Sequence, residues 1–123
     1  MKENIIQTKT FDFAIRIVKV YKHLRQNKNE QILSKQLLRS GTSIGANIEE
    51  AIGGQSKNDF SSKLSIAYKK ARESSYWIKL LEKSNYLTNT ESQSLLGDLT
   101  EILKIIGKIQ ITIRNLKFVI FNS

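Results

Sequence analysis

Few residues in this chain are of the types that carry out catalysis. Its 123 residues include one histidine, His23, and no cysteine, so disulfides, thiolate metal sites and cysteine nucleophiles are excluded. His23 falls on a basic side of its helix, without a partner that would make it a general base. Glu49 and Glu50 are adjacent, so on a helix their carboxylates point about 100° apart and do not share a substrate or a metal ion. The sequence predicts a protein that is not an enzyme and that holds no metal or cofactor.

Two glycines four residues apart, Gly41 and Gly45, raise the alternative of a phosphate-binding loop. Such a loop has the pattern GxxxxGK[ST] after a strand, whereas Gly41-Thr-Ser-Ile-Gly45 has a different spacing and no lysine. Inside a helix, glycine costs about 1 kcal/mol relative to alanine, so its presence needs a reason. Missing side chains allow a neighbouring helix to come close. We therefore expect a close helix contact at these glycines and no nucleotide site.

A strip of polar residues lies on the same predicted helix. Arg39, Ser43, Asn47 and Glu50 recur at helical spacing, and Glu73 of the next helix is placed to join them. If they are buried together, these groups can satisfy one another's hydrogen bonds. We favour this packing interpretation, because buried charged groups are usually paired. A ligand-binding strip stays open as the alternative.

Hydrophobic periodicity places all of these residues on helices. Proline is absent, which suits long uninterrupted helices. Gly53-Gly54 predicts a helix end in which glycine takes the left-handed conformation, and Ser56-x-x-Asp59, Thr88-x-x-Glu91 and Thr90-x-x-Gln93 predict helix starts. We expect one all-α domain over residues 1–123, an antiparallel up-down four-helix bundle with helices at about 11–25, 30–52, 57–84 and 90–117.

Each predicted helix has an apolar stripe that would face the core. On the fourth helix the spacing alternates between four and three, the heptad pattern of bundle and coiled-coil packing. The predicted stripes are Phe11, Ala14, Ile17, Val18, Tyr21 and Leu24 on the first helix; Leu33, Leu37, Ile44, Ile48 and Ala51 on the second; Phe60, Leu64, Ala67, Ala71, Ile78 and Leu81 on the third; and Leu95, Leu99, Ile102, Ile106, Ile109, Ile113 and Leu116 on the fourth.

The net charge of +9 favours a polyanionic partner, nucleic acid first. Positive charge is concentrated on the first and third helices, and on the third it surrounds an aromatic side chain that could stack on an unpaired base. An ordinary solvated lysine-rich face stays open as the alternative. The predicted nucleic-acid-binding residues are Lys69, Lys70, Arg72, Tyr76, Lys79 and Lys83, followed by Arg16 and Lys19.

The third helix has a second set of apolar residues, away from its core stripe. Ile66, Trp77 and Leu80 predict a contact with another subunit, and the alternative is that Trp77 covers the edge of its own bundle. The apolar tail Phe118–Phe121 would close the bundle end or dock on a neighbour. No stretch has the length of a signal peptide core or a membrane span. We expect a soluble, cytoplasmic homo-oligomer without membrane contact.

The stretches "RSGTSIGANIEEA" and "SKNDFSSKLSIAYKKARESSYWIKLL" resemble the four-helix-bundle family of 23S rRNA intervening-sequence proteins. The accessory protein of diversity-generating retroelements is similar to the same family. Two positions depart from the pattern: Ala51 replaces a glycine, and Lys69-Lys70 replaces a Gly-Ser pair.

The resemblance implies a ring-shaped homopentamer of bundles without catalytic activity, and its retroelement relative engages RNA and a reverse transcriptase. Together with the charge, this favours a non-enzymatic protein that binds structured RNA or other nucleic acid through basic outer faces. The rival interpretation is a scaffold whose third helix docks a partner protein, with positive charge only steering the encounter.

Overall fold

The structure, a computed structural model, describes the backbone of residues 4–122 and the side chains of residues 4–116. Four helices follow one another: α1 (Ile5–Lys28), α2 (Leu33–Ile52), α3 (Lys57–Lys83) and α4 (Asn89–Asn122). No strand occurs in this range. The predicted all-α class and the four helices are confirmed, although α1 begins six residues earlier than expected and α2 three residues later.

The helices form a closed ring of neighbours. Contacts join α1 with α2, α2 with α3, α3 with α4 and α4 with α1, and within the described residues the backbones of the diagonal helices lie farther apart. The ion pairs Lys9–Glu101 and Arg16–Asp98 run in opposite chain directions on α1 and α4. The other three neighbouring pairs are joined by short connections. The bundle is therefore antiparallel and up-down.

The close helix contact predicted at the two glycines joins α2 to α1. A Cβ atom placed on Gly41 would lie 2.9 Å from Cγ1 of Ile17, and one on Gly45 would lie 3.3 Å from the carbonyl oxygen of Thr10. No side chain fits at such distances unless α1 shifts. The expectation of a packing role is confirmed.

The core face of α1 differs from the predicted stripe. Phe11 is 63% exposed, whereas Phe13 is buried with only 1% of its surface accessible. The side of α1 that faces the core includes Thr10, which is buried against Gly45. Its hydroxyl donates a hydrogen bond to the carbonyl oxygen of Ile6 at 2.8 Å. The prediction used apolar residues alone and so left out this threonine. It therefore assigned the wrong side of α1 to the core.

The heptad seam of α4 is buried only along its first part. Leu95, Leu99, Ile102 and Ile106 are buried, whereas Leu116 is 54% exposed. Since α1 begins at Ile5 and Lys9 already pairs with Glu101, α1 does not extend alongside the later turns of α4. The side chains of the apolar tail Phe118–Phe121 lie outside the described residues.

The start of α2 depends on a buried carboxylate. Glu30 accepts backbone N–H groups from Leu33 at 2.7 Å, from Ser34 at 2.8 Å and from Ile32 at 3.0 Å. Burial opposes the charged form, but these hydrogen bonds outweigh it and lower the pKa of Glu30. Asn29 before it has a φ of 54°, which reverses the chain. The residue predicted to open α2 is its capping group.

The starts of α3 and α4 follow the sequence signals, but Thr90, the alternative predicted start, lies inside α4. Two ends also differ from the prediction, because α1 and α4 end three and five residues later than expected. Ser56 Oγ accepts the N–H of Asp59 at 3.0 Å, and Thr88 and Glu91 form a reciprocal capping box. At Gly53 the prediction of a left-handed conformation is wrong, because φ is −82°. The turn closes instead through the N–H of the next glycine on the carbonyl of Ala51 at 3.1 Å.

Candidate nucleic-acid interface

One row of residues follows the outer face of α3. Lys69, Arg72, Tyr76, Lys79 and Lys83 recur at steps of three and four, and all five are exposed. At about 1.5 Å of rise per residue, the row is about 21 Å long. We call these five residues the α3 basic stripe.

The four cations of the α3 basic stripe form no ion pair with a carboxylate of the described residues. The ion pairs of this part of the chain join Lys9 to Glu101, Arg16 to Asp98, Lys63 to Glu50 and Lys70 to Glu73. Lys83 interacts at longer range with the neighbouring carboxylate of Glu82, so the row as a whole keeps a net positive potential.

Lys70, predicted with the stripe, has a different environment. It is half-buried, and its Nζ lies 3.6 Å from Glu73 Oε1, one helical turn away. Part of its charge is therefore satisfied within the helix. The structure places Lys70 beside the stripe and not in it.

The two predicted residues of α1 lie on another side of the bundle. Arg16 faces α4, where its guanidinium contacts Asp98 Oδ2 at 2.6 Å and donates to Ser94 Oγ at 2.9 Å. Lys19 is exposed nearby, next to His23 along a shallow groove. The structure does not bring these residues together with the stripe on α3.

Lys9 and Glu101 complete the charged contact between α1 and α4. Their hydrogen bond raises the pKa of the Lys9 ammonium and lowers the pKa of the Glu101 carboxyl. Each group thus favours the charged state of the other. Together, Lys9–Glu101 and Arg16–Asp98 form what we call the α1–α4 paired face.

A groove opens beside the middle of the stripe, between α3 and α4. Its volume is about 560 Å³, and its wall on α4 is made of Leu96, Thr100 and Leu103. On the α3 side, Tyr76 is 59% exposed, and its ring packs edge-on against Trp77 with 5.0 Å between centroids. The other residues that line the groove are Arg72, Ser75 and Lys79.

The polar strip of α2 does not form one network. Ser43 donates to the backbone carbonyl oxygen of Arg39 at 2.6 Å, and the Asn47 amide donates to that of Ser43 at 2.8 Å. Glu50 pairs with Lys63 of α3 at 2.9 Å, and Glu73, the fifth predicted member, accepts Trp77 Nε1 at 3.1 Å. The Arg39 side chain is exposed, so the predicted members do not converge on one point.

The predicted subunit contact residues are half-buried within the single chain. Ile66, Trp77 and Leu80 each keep part of their surface accessible, and Trp77 also packs against the core. Covering the bundle's own edge therefore accounts for part of its surface, while the rest stays open to a partner.

Two kinds of site are missing from the described part of the chain. Among its residues, no three His, Cys, Asp or Glu side chains are grouped so that they could hold a metal ion. Its helices also lack the combination of length and apolarity that a membrane crossing demands.

The fold and its surface define a basic, all-α bundle protein. The sequence profile described as "23S rRNA-intervening sequence protein" matches residues 2–108, and the chain belongs to this family. The resemblance found in the polar motif and in α3 is therefore confirmed.

A solved structure gives an independent comparison. The chain is 48% identical to a Bacteroides thetaiotaomicron protein described as having unknown function and belonging to the S23 ribosomal protein family. The match covers 85% of this chain and 97% of the other, with a TM-score of 0.84. The search among curated proteins found no significant match.

Proposed function

We propose that this protein binds structured RNA through the α3 basic stripe and performs no catalysis. The proposal rests on one observation: four exposed cations follow one helix face, and none has a carboxylate partner among the described residues. Cations in such a row can neutralise successive phosphates and release their counterions, which is the main source of affinity for nucleic acid without a sequence-reading motif.

The family supports RNA over other polyanions. Its description refers to 23S rRNA, whereas the Bacteroides relative is described as a protein of unknown function. The choice of RNA thus follows from the family's description together with the charge distribution, and the choice of surface follows from the charges alone.

We also propose that the protein assembles into a homo-oligomer, with a pentamer expected from the resemblance. Ile66, Trp77 and Leu80 supply a partly exposed apolar surface on α3 that suits a subunit contact. Several stripes in one assembly would raise the avidity for a long RNA. Light scattering on the wild type and on Leu80→Lys tests this proposal. If the protein is a ring, the measured mass of the variant should be lower than that of the wild type. A wild type with the mass of a monomer would contradict the proposal.

The stripe is tested by removing its charges at three positions. Lys69→Gln, Arg72→Gln and Lys79→Gln together should weaken binding to a labelled RNA hairpin and reduce the salt slope by about two to three, because about three phosphate contacts are lost. Anisotropy titrations between about 50 and 200 mM salt measure both quantities.

The matched control removes the same charge elsewhere. Lys35, Lys104 and Lys108 are exposed and lie outside the stripe, so changing all three to glutamine lowers the net charge equally. This variant should keep most of the affinity. Equal losses in the two triple variants would show that binding depends on overall charge and would reject the stripe as the site.

A second candidate function is the docking of a partner protein on the same apolar surface of α3. The observation in its favour is that Trp77 stays partly exposed although it packs on the core. Affinity capture with and without nuclease separates the two functions. Partners that survive digestion and are lost in Leu80→Lys support docking, whereas partners that disappear with the RNA support the stripe.

A further inference from the structure

We propose that the groove between α3 and α4 holds an unpaired base stacked on Tyr76, so that the site selects single-stranded segments of RNA over duplex. This inference rests on the proposed function and specifies its ligand. It places Tyr76 in the site as the stacking surface, with the neighbouring cations on the phosphates.

The position of Tyr76 within the stripe is the first observation. Arg72 lies four residues before it and Lys79 three residues after it, so both cations lie next to the ring on the same helix face. The ring is 59% exposed and yet held edge-on by Trp77 at 5.0 Å and 78°. An exposed aromatic ring offers a stacking surface for a planar group.

The groove beside the ring is the second observation. Leu96 and Leu103 are half-buried and pack on the core, which gives the groove an apolar wall. No carboxylate is among its described lining residues. Its volume of about 560 Å³ falls within the range of about 300–1,000 Å³ found for small-molecule sites. An apolar wall, an aromatic ring and two cations match the base and the phosphates of a nucleotide.

The chemistry favours an unpaired base because the faces of paired bases are covered by their neighbours in the stack. Proteins that recognise RNA through aromatic side chains accordingly bind loops, bulges and single strands. The stripe is about 21 Å long, which is enough to contact the phosphates of several nucleotides in a row. A short single-stranded segment therefore spans the stripe with one base at the position of Tyr76.

The test compares two labelled RNAs of about 12 nucleotides, a length within the range of about 4–16 nucleotides that single-strand sites cover. One is an unstructured single strand, and the other is the blunt duplex of the same length. Tyr76→Ala should weaken single-strand binding by at least about fivefold, the lower bound for loss of one base–aromatic stack. Duplex binding, which depends on phosphates alone, should stay unchanged, and Tyr76→Phe should restore the wild-type affinity.

Two further measurements make the test specific. Phe11 is exposed to a similar degree, at 63%, and lies on α1, away from the groove. Phe11→Ala is therefore a control that removes an exposed aromatic ring elsewhere. It should change neither the affinity for the single strand nor that for the duplex. Trp77 is the only tryptophan and touches the proposed stacking ring. Its fluorescence should change when the single strand binds to the wild type and not when it binds to Tyr76→Ala.

The outcomes separate the two proposals. If Tyr76→Ala binds both RNAs as the wild type does while the glutamine triple variant loses affinity, the stacking site is wrong and the basic stripe stands. A preference for the duplex also overturns the stacking site. If the wild type binds neither of these RNAs but binds the labelled hairpin, this inference alone fails. If it does not bind the hairpin either, the proposed function fails with it.

Discussion

The α1–α4 paired face and the α3 basic stripe have cations at similar helical spacing but differ in what lies opposite them. On α1, Lys9 and Arg16 meet Glu101 and Asp98 across the helix gap. On α3, the four cations of the stripe form no ion pair with a described carboxylate, and the neighbouring wall of α4 is made of leucines and Thr100.

The difference teaches that the number of cations on a helix does not locate a binding surface for polyanions. A cation with a carboxylate at hydrogen-bonding distance contributes little field at a distance, whereas an unpaired cation contributes fully. In the sequence, Arg16 and Arg72 are both arginines on the outer side of a basic helix. Their neighbours on α4, Asp98 and Thr100, make them different.

The largest effect is expected from breaking the contact that positions α1. Gly41→Leu places a side chain where a Cβ alone would lie 2.9 Å from Ile17, so α1 must move and lose its register with Asp98. Overpacking of this kind should lower the free energy of unfolding by about 3 kcal/mol. Urea denaturation measures the change.

Gly97 supplies the control for this change. A Cβ at Gly97 would meet nothing within 4 Å, so Gly97→Leu should leave the stability unchanged or raise it by up to about 1 kcal/mol through helix propensity. If the two leucine variants were equally stable, the close contact between α1 and α2 would not determine the position of α1.

An intermediate effect is expected from placing a carboxylate opposite the cations of the α3 basic stripe. Thr100→Glu places a carboxylate on the α4 wall of the groove near Arg72 and Lys79, and so imitates what Asp98 does to Arg16. RNA affinity should fall about tenfold, equivalent to about 1.4 kcal/mol. Anisotropy at one fixed salt concentration measures it.

Thr112→Glu is the matched control for the new carboxylate. Thr112 is exposed on the same helix, and its hydroxyl bonds the carbonyl four residues earlier, as that of Thr100 does. Its net charge change is identical, so it should lose little affinity. An equal loss in both glutamate variants would remove the distinction between paired and unpaired cations.

The smallest effect is expected from unpairing the cations of the α1–α4 paired face. Asp98→Asn with Glu101→Gln frees Arg16 and Lys9, but this face lies apart from the α3 basic stripe, so the RNA salt slope should change by less than about one. Stability should change little, because exposed ion pairs contribute little. A slope that steepens by about two, measured in the same salt series, would show that the RNA also contacts this face and would contradict the stripe as the single site.

Much of the fold follows from local rules. The apolar periodicity of α2 and α3, the N-cap at Ser56 and the capping box at Thr88 are properties of nearby residues, and the structure confirms them. The errors concern residues whose environment depends on distant ones. Thr10 is buried because Gly45 faces it, and Glu30 caps a helix that it was expected to open.

The candidate site, like the fold, is predictable where it depends on nearby residues and not where it depends on distant ones. The apolar periodicity of α3 predicts which of its sides faces solvent. The structure confirms that the four cations on that side are exposed: Lys69, Arg72, Lys79 and Lys83. The pairing of Arg16 with Asp98 required the register between α1 and α4, which local spacing does not contain. The same register places the leucines of α4 beside Tyr76 and so forms the groove.

The α3 basic stripe shares no residue with the core, since the buried positions of α3 are Leu64, Ala67, Ala71, Ser74, Ile78 and Leu81. Substitutions at exposed positions usually change stability by less than about 0.5 kcal/mol. The outer face of α3 can therefore be rewritten for a different ligand, by selection or by an engineer, while the bundle beneath it stays folded.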